Sequence, residues 1–224
     1  MSMKILKLFF FFCFFVFYSC TDTSSSRPLS LYEAKEKIQA YYQKGRYQKD
    51  IKKQVSFAKK YILRRLQTCR PNEKLAAIFD IDDTAISHLD FYIKQDFQNN
   101  FTITFWEEYF QKNSFLPLFP LLDLYNFAKK KGIALFFISS RHEKLRETTI
   151  ANLKHAGYSG WKKIYLSSPK NPYPSSQAYK THMRQKIIED GYSIIINIGD
   201  QKSDLLGGFC ETTYLLPNPI YLIR

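Results

Sequence analysis

The 224-residue sequence is poor in glycine and proline, with eight and nine of them, which excludes collagen-like and low-complexity readings. Four cysteines, with no CxxC and no Cys/His spacing of the zinc-binding kind, exclude a disulfide-stapled mini-domain and a zinc module. No apolar run reaches the roughly 20 residues that a membrane-spanning helix needs. No array of basic and aromatic residues of a known nucleic-acid-binding module is present, and no internal repeat. Acidic residues are scarce beside basic ones, 20 against 33, for a formal net charge of +13. What remains is ordinary globular composition, 45% apolar and 24% charged. A chain of this length buries roughly 70–75% of its unfolded surface around one core.

The first residues stand apart from that composition. Lys4 and Lys7 precede or border an uninterrupted apolar run over residues 8–18, which ends at Ser19-Cys20. Eleven residues are too short to span a bilayer, but they have the length of a secretory leader. Residues 1–19 therefore read as a signal peptide, 20–30 as a polar tether and 31–224 as a single domain. Ser19 directly before Cys20 resembles the lipobox of bacterial lipoproteins, which implies lipidation of Cys20 and a place in the outer membrane or periplasm. Plain secretion with cleavage near Ser19 is the alternative. Removing the leader leaves 31 basic and 20 acidic residues, a charge of +11. Such a field attracts anionic headgroups, nucleic acid or small phosphorylated molecules. Without a binding module, no specific nucleic-acid partner is expected. Cys69 and Cys210 are the remaining thiols of the domain, and they either pair or stay free.

Periodicity divides the domain. Over residues 31–68 two helices are expected, with stripes at Leu31, Ala34, Ile38 and Tyr41, then at Ile51, Val55, Ala58, Ile62 and Leu66, with Gly45 between them. After Pro71, short runs apolar on both faces at 75–79, 133–138, 164–166, 194–198 and 212–216 read as strands of a parallel sheet. Helices alternate with them, and three stop at Gly132, Gly157 and Gly191. The expectation is an α/β fold, a three-layer Rossmann-like parallel sheet of about five strands. The aromatic stretch over 85–117 is too long for a simple loop and reads as a small helical cap.

Chemistry-bearing residues fall at the ends of these strands. The run over 75–79 passes directly into Asp80, Asp82 and Asp83, where ligand sites of open parallel sheets lie. Clustered carboxylates repel one another unless a cation neutralises them, and all-oxygen ligands favour a hard divalent ion, Mg²⁺ first. The strand over 194–198 ends in Gly199-Asp200, and Asp204 follows four residues on. If that strand neighbours the first, Asp200 faces Asp80 across the ion, while Asp204 holds a metal water or orients Lys180. Ser139-Ser140-Arg141 after a third strand reads as a hydroxyl and backbone N–H groups at a helix N-terminus, a seat for phosphate. Lys180 lies early in the helix before the Asp200 strand. His88, His142, His155 and His182 show no ligand spacing and are expected at the surface or behind the site.

The order of DxDxT, strand-Ser, Lys and GDxxxD resembles the haloacid dehalogenase superfamily of phosphohydrolases. The resemblance is closer to its class B/C acid phosphatases and the related plant vegetative-storage-protein acid phosphatases. It extends over roughly residues 47–222 and includes FDIDDTAISHLDFY at 79–92, Asn152-Leu153, Ala156-Gly157-Tyr158, Trp161, GDQKSDLL at 199–206 and Leu216-Pro217-Asn218-Pro219. It implies that Asp80 is the nucleophile and Asp82 the general acid. Mg²⁺ would be held by Asp80, the Asp82 carbonyl and Asp200, and phosphate by Ser139, Ser140 and Lys180. Tyr92 and Tyr221 hold positions at which relatives stack a nucleobase, so nucleotides join general phosphomonoesters as expected substrates. Ser139-Ser140-Arg141 stands where Thr-Gly-Arg is usual, Asp83 where Glu is commoner and His88 where Asn is common. A storage-type member with little turnover is the alternative, and the presence of Asp80 argues against it. A response-regulator receiver also gathers Asp, Ser and Lys around Mg²⁺, but there no GDxxxD follows the lysine.

Overall fold

A computed structural model describes residues 28–98, 100–112, 114–168 and 173–223. The leader, Cys20 and most of the tether lie outside these residues. Two helices come first, α1 (Leu31–Gln43) and α2 (Arg46–Gln67). Ser30 starts α1 with a capping box, its hydroxyl accepting from the Glu33 N–H while the Glu33 carboxylate accepts from the Ser30 N–H at 2.9 Å. Gly45 turns the chain between the helices with φ +69°, a conformation costly for residues with a Cβ. Tyr47, Ile51, Val55, Ala58 and Ile62 are the buried stripe of α2, spaced three and four apart as one helical face requires.

The sheet follows, with β1 (Lys74–Phe79), β2 (Ala134–His142), β3 (Lys163–Ser167), β4 (Tyr192–Gly199) and β5 (Thr213–Leu215). Its order is β3-β2-β1-β4-β5 and every pairing is parallel. Between β1 and β2 lie α3 (Leu89–Lys94), α4 (Ile103–Lys112) and α5 (Phe119–Lys130). After β2 comes α6 (Arg146–His155), after β3 comes α7 (Ser176–Glu189), and after β4 a single turn, α8 (Lys202–Leu205). Alternate side chains of β1 feed two cores. Leu75, Ala77 and Phe79 pack with residues of α2, α5 and α6, whereas Ala76 and Ile78 meet Tyr179, Met183 and Ile187 of α7. This is the expected three-layer α/β architecture. Gly132, Gly157 and Gly191 all have positive φ where helices end.

The chain builds one half of the sheet outward from β1, then returns through α7 to lay β4 on the other side. The crevice beyond the carboxyl ends of β1 and β4 is therefore the switch point at which such sheets bind ligands. Above it, α3 and α4 form a cap held by aromatic contacts, with ring centroids 4.5 Å apart for Phe91 and Tyr109 and 4.4 Å for Phe101 and Phe105. Cys69 and Cys210 are both free, Cys69 exposed and Cys210 half-buried. No helix among the described residues is long and apolar enough to cross a membrane.

Candidate active site

Pairing of β1 with β4 sets Phe79 opposite Ile198, and the Asp80 N–H donates to the Ile198 carbonyl at 2.9 Å. Asp80 and Asp200 thus leave the sheet side by side. With Asp204 from α8, they each offer a carboxylate oxygen within 4.8 Å of the others, all three buried. Lys180 of α7 donates to Asp80 Oδ1 and to Asp204 Oδ1, both at 2.6 Å. Asp204 is therefore in contact with Lys180, as one of its two expected roles required. Asp80 Oδ2 accepts no hydrogen bond among the described residues. Asp200 accepts from Thr84 Oγ1 at 3.2 Å, and from Gln201 Nε2 and Asn218 Nδ2 at 2.7 Å each.

The glycine before Asp200 has a steric cause. Asp204 folds back to accept the Gln201 N–H at 2.9 Å, and a Cβ on Gly199 would lie 2.3 Å from Asp204 Oδ2. Arg184, one helical turn after Lys180, holds the same loop by its backbone. It donates to the carbonyls of Asp204 at 2.7 Å and Gly208 at 2.8 Å, and to that of Leu206.

One ammonium stands against three carboxylates. Burial works against the charge on Lys180, but Asp204 and Asp80 outweigh it and keep the amine protonated. Burial raises Asp80 well above the usual carboxylate range, the pull of Lys180 notwithstanding. Burial, with Asp204 and Asp83 nearby, pushes Asp200 up to about 7. The pocket thus holds less positive charge than its carboxylates need, and the atoms it offers a cation are all oxygen. A hard divalent cation fits both properties.

Asp82 is not in that cluster. Its side chain turns to Arg141, which donates from Nη2 to Oδ1 at 2.7 Å and from Nε to Oδ2 at 3.0 Å, and to His88 Nε2, 2.7 Å from Oδ1. Burial alone would raise its pKa, but Arg141 and His88 hold Asp82 well below the ordinary carboxylate range. The carboxylate oxygens of Asp82 thus face a guanidinium and an imidazole, whereas the ligand expected of Asp82 is its main-chain carbonyl. Asp83 has φ +54° and fixes the turn, accepting from the His88 N–H and from Tyr221 Oη, each at 2.9 Å.

The helix N-terminus expected at Ser139 is corrected by the extent of β2. β2 runs on to His142 and α6 starts at Arg146, so Ser139 sits in the strand extension, buried, its hydroxyl accepting from the Arg141 N–H at 3.1 Å. Ser140 is exposed and its hydroxyl pairs with Ser176 Oγ at 2.6 Å. Beside Asp82 opens a cavity of about 370 Å³ whose walls include Tyr92, Trp106, Phe110, Ser140, Arg141 and Tyr221. Tyr92 and Tyr221 both reach it, but their centroids are 5.8 Å apart. The rings touch each other, and a base sandwiched between them would need roughly 7 Å.

Sequence reasoning passed over Arg141 as a partner, and Asn218 and Gln201 as props of Asp200; of the two places expected for His88, it takes the one behind the site, buried against Asp82. The signals were the Arg after Ser-Ser and the Asn between two prolines, but neither names its partner. His142 stands outside the carboxylate clusters, its Nδ1 2.9 Å from Glu107 in the cavity wall.

A parallel sheet with an Asp-rich turn after its central strand, a cap above it, and a lysine and further acids converging from later elements defines a phosphohydrolase fold of the haloacid dehalogenase type. The chain belongs to subfamily IIIB of that superfamily, the acid phosphatases, whose family model matches residues 23–224. Among similar proteins, the stem 28 kDa glycoprotein of Glycine max is 39% identical over 151 residues, spanning 66% of this chain and 59% of that protein. Vegetative storage protein 1 of Arabidopsis thaliana is 34% identical over 65% of this chain and 54% of its own length. Acid phosphatase 1 of Solanum lycopersicum is 32% identical over 65% of this chain and 58% of its own. The chain thus covers less than two thirds of the length of each. In fold it is similar to the class C acid phosphatase of Bacillus anthracis, with TM-score 0.66, 19% identity and coverage of 84% of this chain and 86% of that one.

Proposed function

We propose that the chain is a phosphomonoesterase that works through a phosphoryl group carried on Asp80. The observation that supports this best is the asymmetry of Asp80, with Oδ1 held by Lys180 and Oδ2 without a donor, at the mouth of the β1–β4 crevice. Oδ2 attacks phosphorus, the bond from phosphorus to the ester oxygen breaks, and the leaving oxygen takes a proton from Asp82. Water then attacks the aspartyl-phosphate while Asp82 receives its proton, which releases phosphate and restores Asp80. Lys180 and the Ser139 hydroxyl bind the transferring oxygens, and Ser140 lies at the rim. Mg²⁺, held by Asp80, Asp200 and Asp204 and by the Asp82 main-chain carbonyl, would supply positive charge to the phosphoryl oxygens.

Asp82 is ionised in the free protein, so its proton enters with the substrate. A phosphomonoester keeps one proton below its second pKa of about 6. Of the Asp82 oxygens, Oδ1 accepts from both His88 and Arg141 Nη2, whereas Oδ2 accepts only from Arg141 Nε and has capacity left to handle that proton.

Substrates are small phosphomonoesters. A nucleotide would lay its base against one tyrosine face, or part Tyr92 from Tyr221. The residues before Pro28 support export, with Cys20 as the site of a lipid anchor to the membrane. A storage-type member with little turnover is the second reading, favoured by the storage-protein names among the relatives. Phosphate release from an aryl phosphate, with and without EDTA, decides between them. The wild type should turn over with Mg²⁺ and Asp80→Asn should not, although still folded. Turnover unchanged in Asp80→Asn removes the nucleophile.

A further inference from the structure

Arg141 has no step in the chemistry above, yet few side chains in the molecule are more completely held. Its side chain is about 1% exposed. Beyond its fork on Asp82, Nη1 donates to Asn152 Oδ1 at 3.0 Å and Thr149 Oγ1 at 3.4 Å, both on α6. Its guanidinium carbon lies 3.8 Å over the ring centroid of Phe110, on cap helix α4. The end of β2, the turn after β1, α6 and the cap therefore all meet at this one planar group.

Asp82 is gripped from its other side by His88, whose ring is boxed by Phe115 at 4.7 Å and by Tyr109 and Phe110 at 5.7 Å between centroids. Both partners of Asp82 are buried, while Asp82 itself is 25% exposed toward the cavity. Stability alone is a weak reason for such a pair, since apolar side chains of like volume often serve a buried site as well. What a rigid fork adds is direction.

We propose that Arg141 is the positioning residue for Asp82. It holds the carboxylate at the cavity edge, apart from the Asp80–Asp200–Asp204 cluster and toward the oxygen that leaves phosphorus. This rests on the phosphomonoesterase reading and on Asp82 as the group that protonates the leaving oxygen. Because Phe110 seats the guanidinium, the cap takes part in aiming the acid as well as in covering the crevice.

The test uses two substrates that differ in their need for that proton. 4-Nitrophenyl phosphate expels a stable anion and needs it little; glycerol phosphate expels an alkoxide and needs it fully. In Arg141→Met, kcat/KM, which reports the first phosphoryl transfer, should fall by about 100-fold or more for glycerol phosphate. For 4-nitrophenyl phosphate it should fall by less than about tenfold, well under the roughly 10²–10⁴-fold that a general acid contributes where its proton is needed. The Mg²⁺ concentration for half-maximal activity should not change, because Arg141 contacts Asp82 only at its side-chain oxygens and touches none of the atoms that would hold the ion. If Arg141→Met does not fold, Arg141→Lys keeps the charge without the fork and should show the same imbalance. Equal losses on both substrates, or a raised Mg²⁺ requirement, would mean a merely structural arginine and overturn the proposal. A wild type inactive on both substrates would refute the phosphomonoesterase reading instead.

Discussion

At the scale of single residues, the strand tips hold more negative charge than their own lysine neutralises. Asp80 and Asp200 are both raised by burial for want of a further cation. Removing one of these charges should therefore stabilise the metal-free protein even as it abolishes turnover. In EDTA, Asp80→Asn is expected to melt higher than the wild type, which a thermal scan reads; a lower midpoint would mean that the Lys180 contact outweighs the repulsion. Gly199 carries a second prediction. A Cβ there displaces Asp204, so Gly199→Ala should weaken Mg²⁺ activation by about 10–100-fold, the range for props behind a metal ligand. Titration of activity with Mg²⁺ checks it. Asp80, Asp200 and Lys180 were legible as site residues because each stands just after a strand or early in the helix before one. The partner of Asp82 was not, since Arg141 lies 59 residues away and meets it only when the extension of β2 folds beside the turn after β1.

At the scale of elements, the turn after β1 is fixed from several sides. Tyr158, just past the end of α6, donates its hydroxyl to the Ala85 carbonyl at 2.8 Å, both groups buried. Tyr158→Phe removes one of two donors to that carbonyl, the Leu118 N–H remaining at 3.0 Å, and should cost about 0.5–1.5 kcal/mol in chemical denaturation. Some of the loss should appear in activity, because Ala85 belongs to the turn that presents Asp82 and Asp83. An unchanged denaturation midpoint would show water replacing the hydroxyl. All five strands and the helix-ending glycines could be read from pattern, since a buried parallel strand is apolar on both faces. The extent of β2 could not. Ser139, Ser140 and Arg141 are polar and look like a loop, but pairing of Ser139 with Leu166 and of His142 with Ser167 keeps them extended. Ser139 is therefore presented from a strand instead of a helix end.

For the whole molecule, metal, protons and stability are linked. An unfolded aspartate titrates near about 3.9, whereas Asp200 in the folded protein does so at about 7. Between these values the folded state binds more protons than the unfolded one, so the metal-free protein should lose stability as pH rises from about 4 to about 7. A bound cation takes the place of those protons and removes the trend. Thermal midpoints with Mg²⁺ and with EDTA should thus draw apart as pH rises, the gap at pH 7 exceeding that at pH 5. A gap constant with pH would tell against these carboxylates as its ligands.

The sequence by itself determined the parallel α/β sheet, the cap and the acids at its strand ends, because hydrophobic period and strand-end placement are local properties of a chain. Only the tertiary structure decided which acids share one pocket and which is set apart. It joined Asp204 to Asp80 and Asp200, gave Asp82 to Arg141 and His88, and brought Tyr92 against Tyr221. Those choices depend on strand order and on side chains distant in the chain, 59 residues for Asp82 and Arg141 and more than a hundred for Asp80 and Asp204, and charge interactions act through space irrespective of position in the chain.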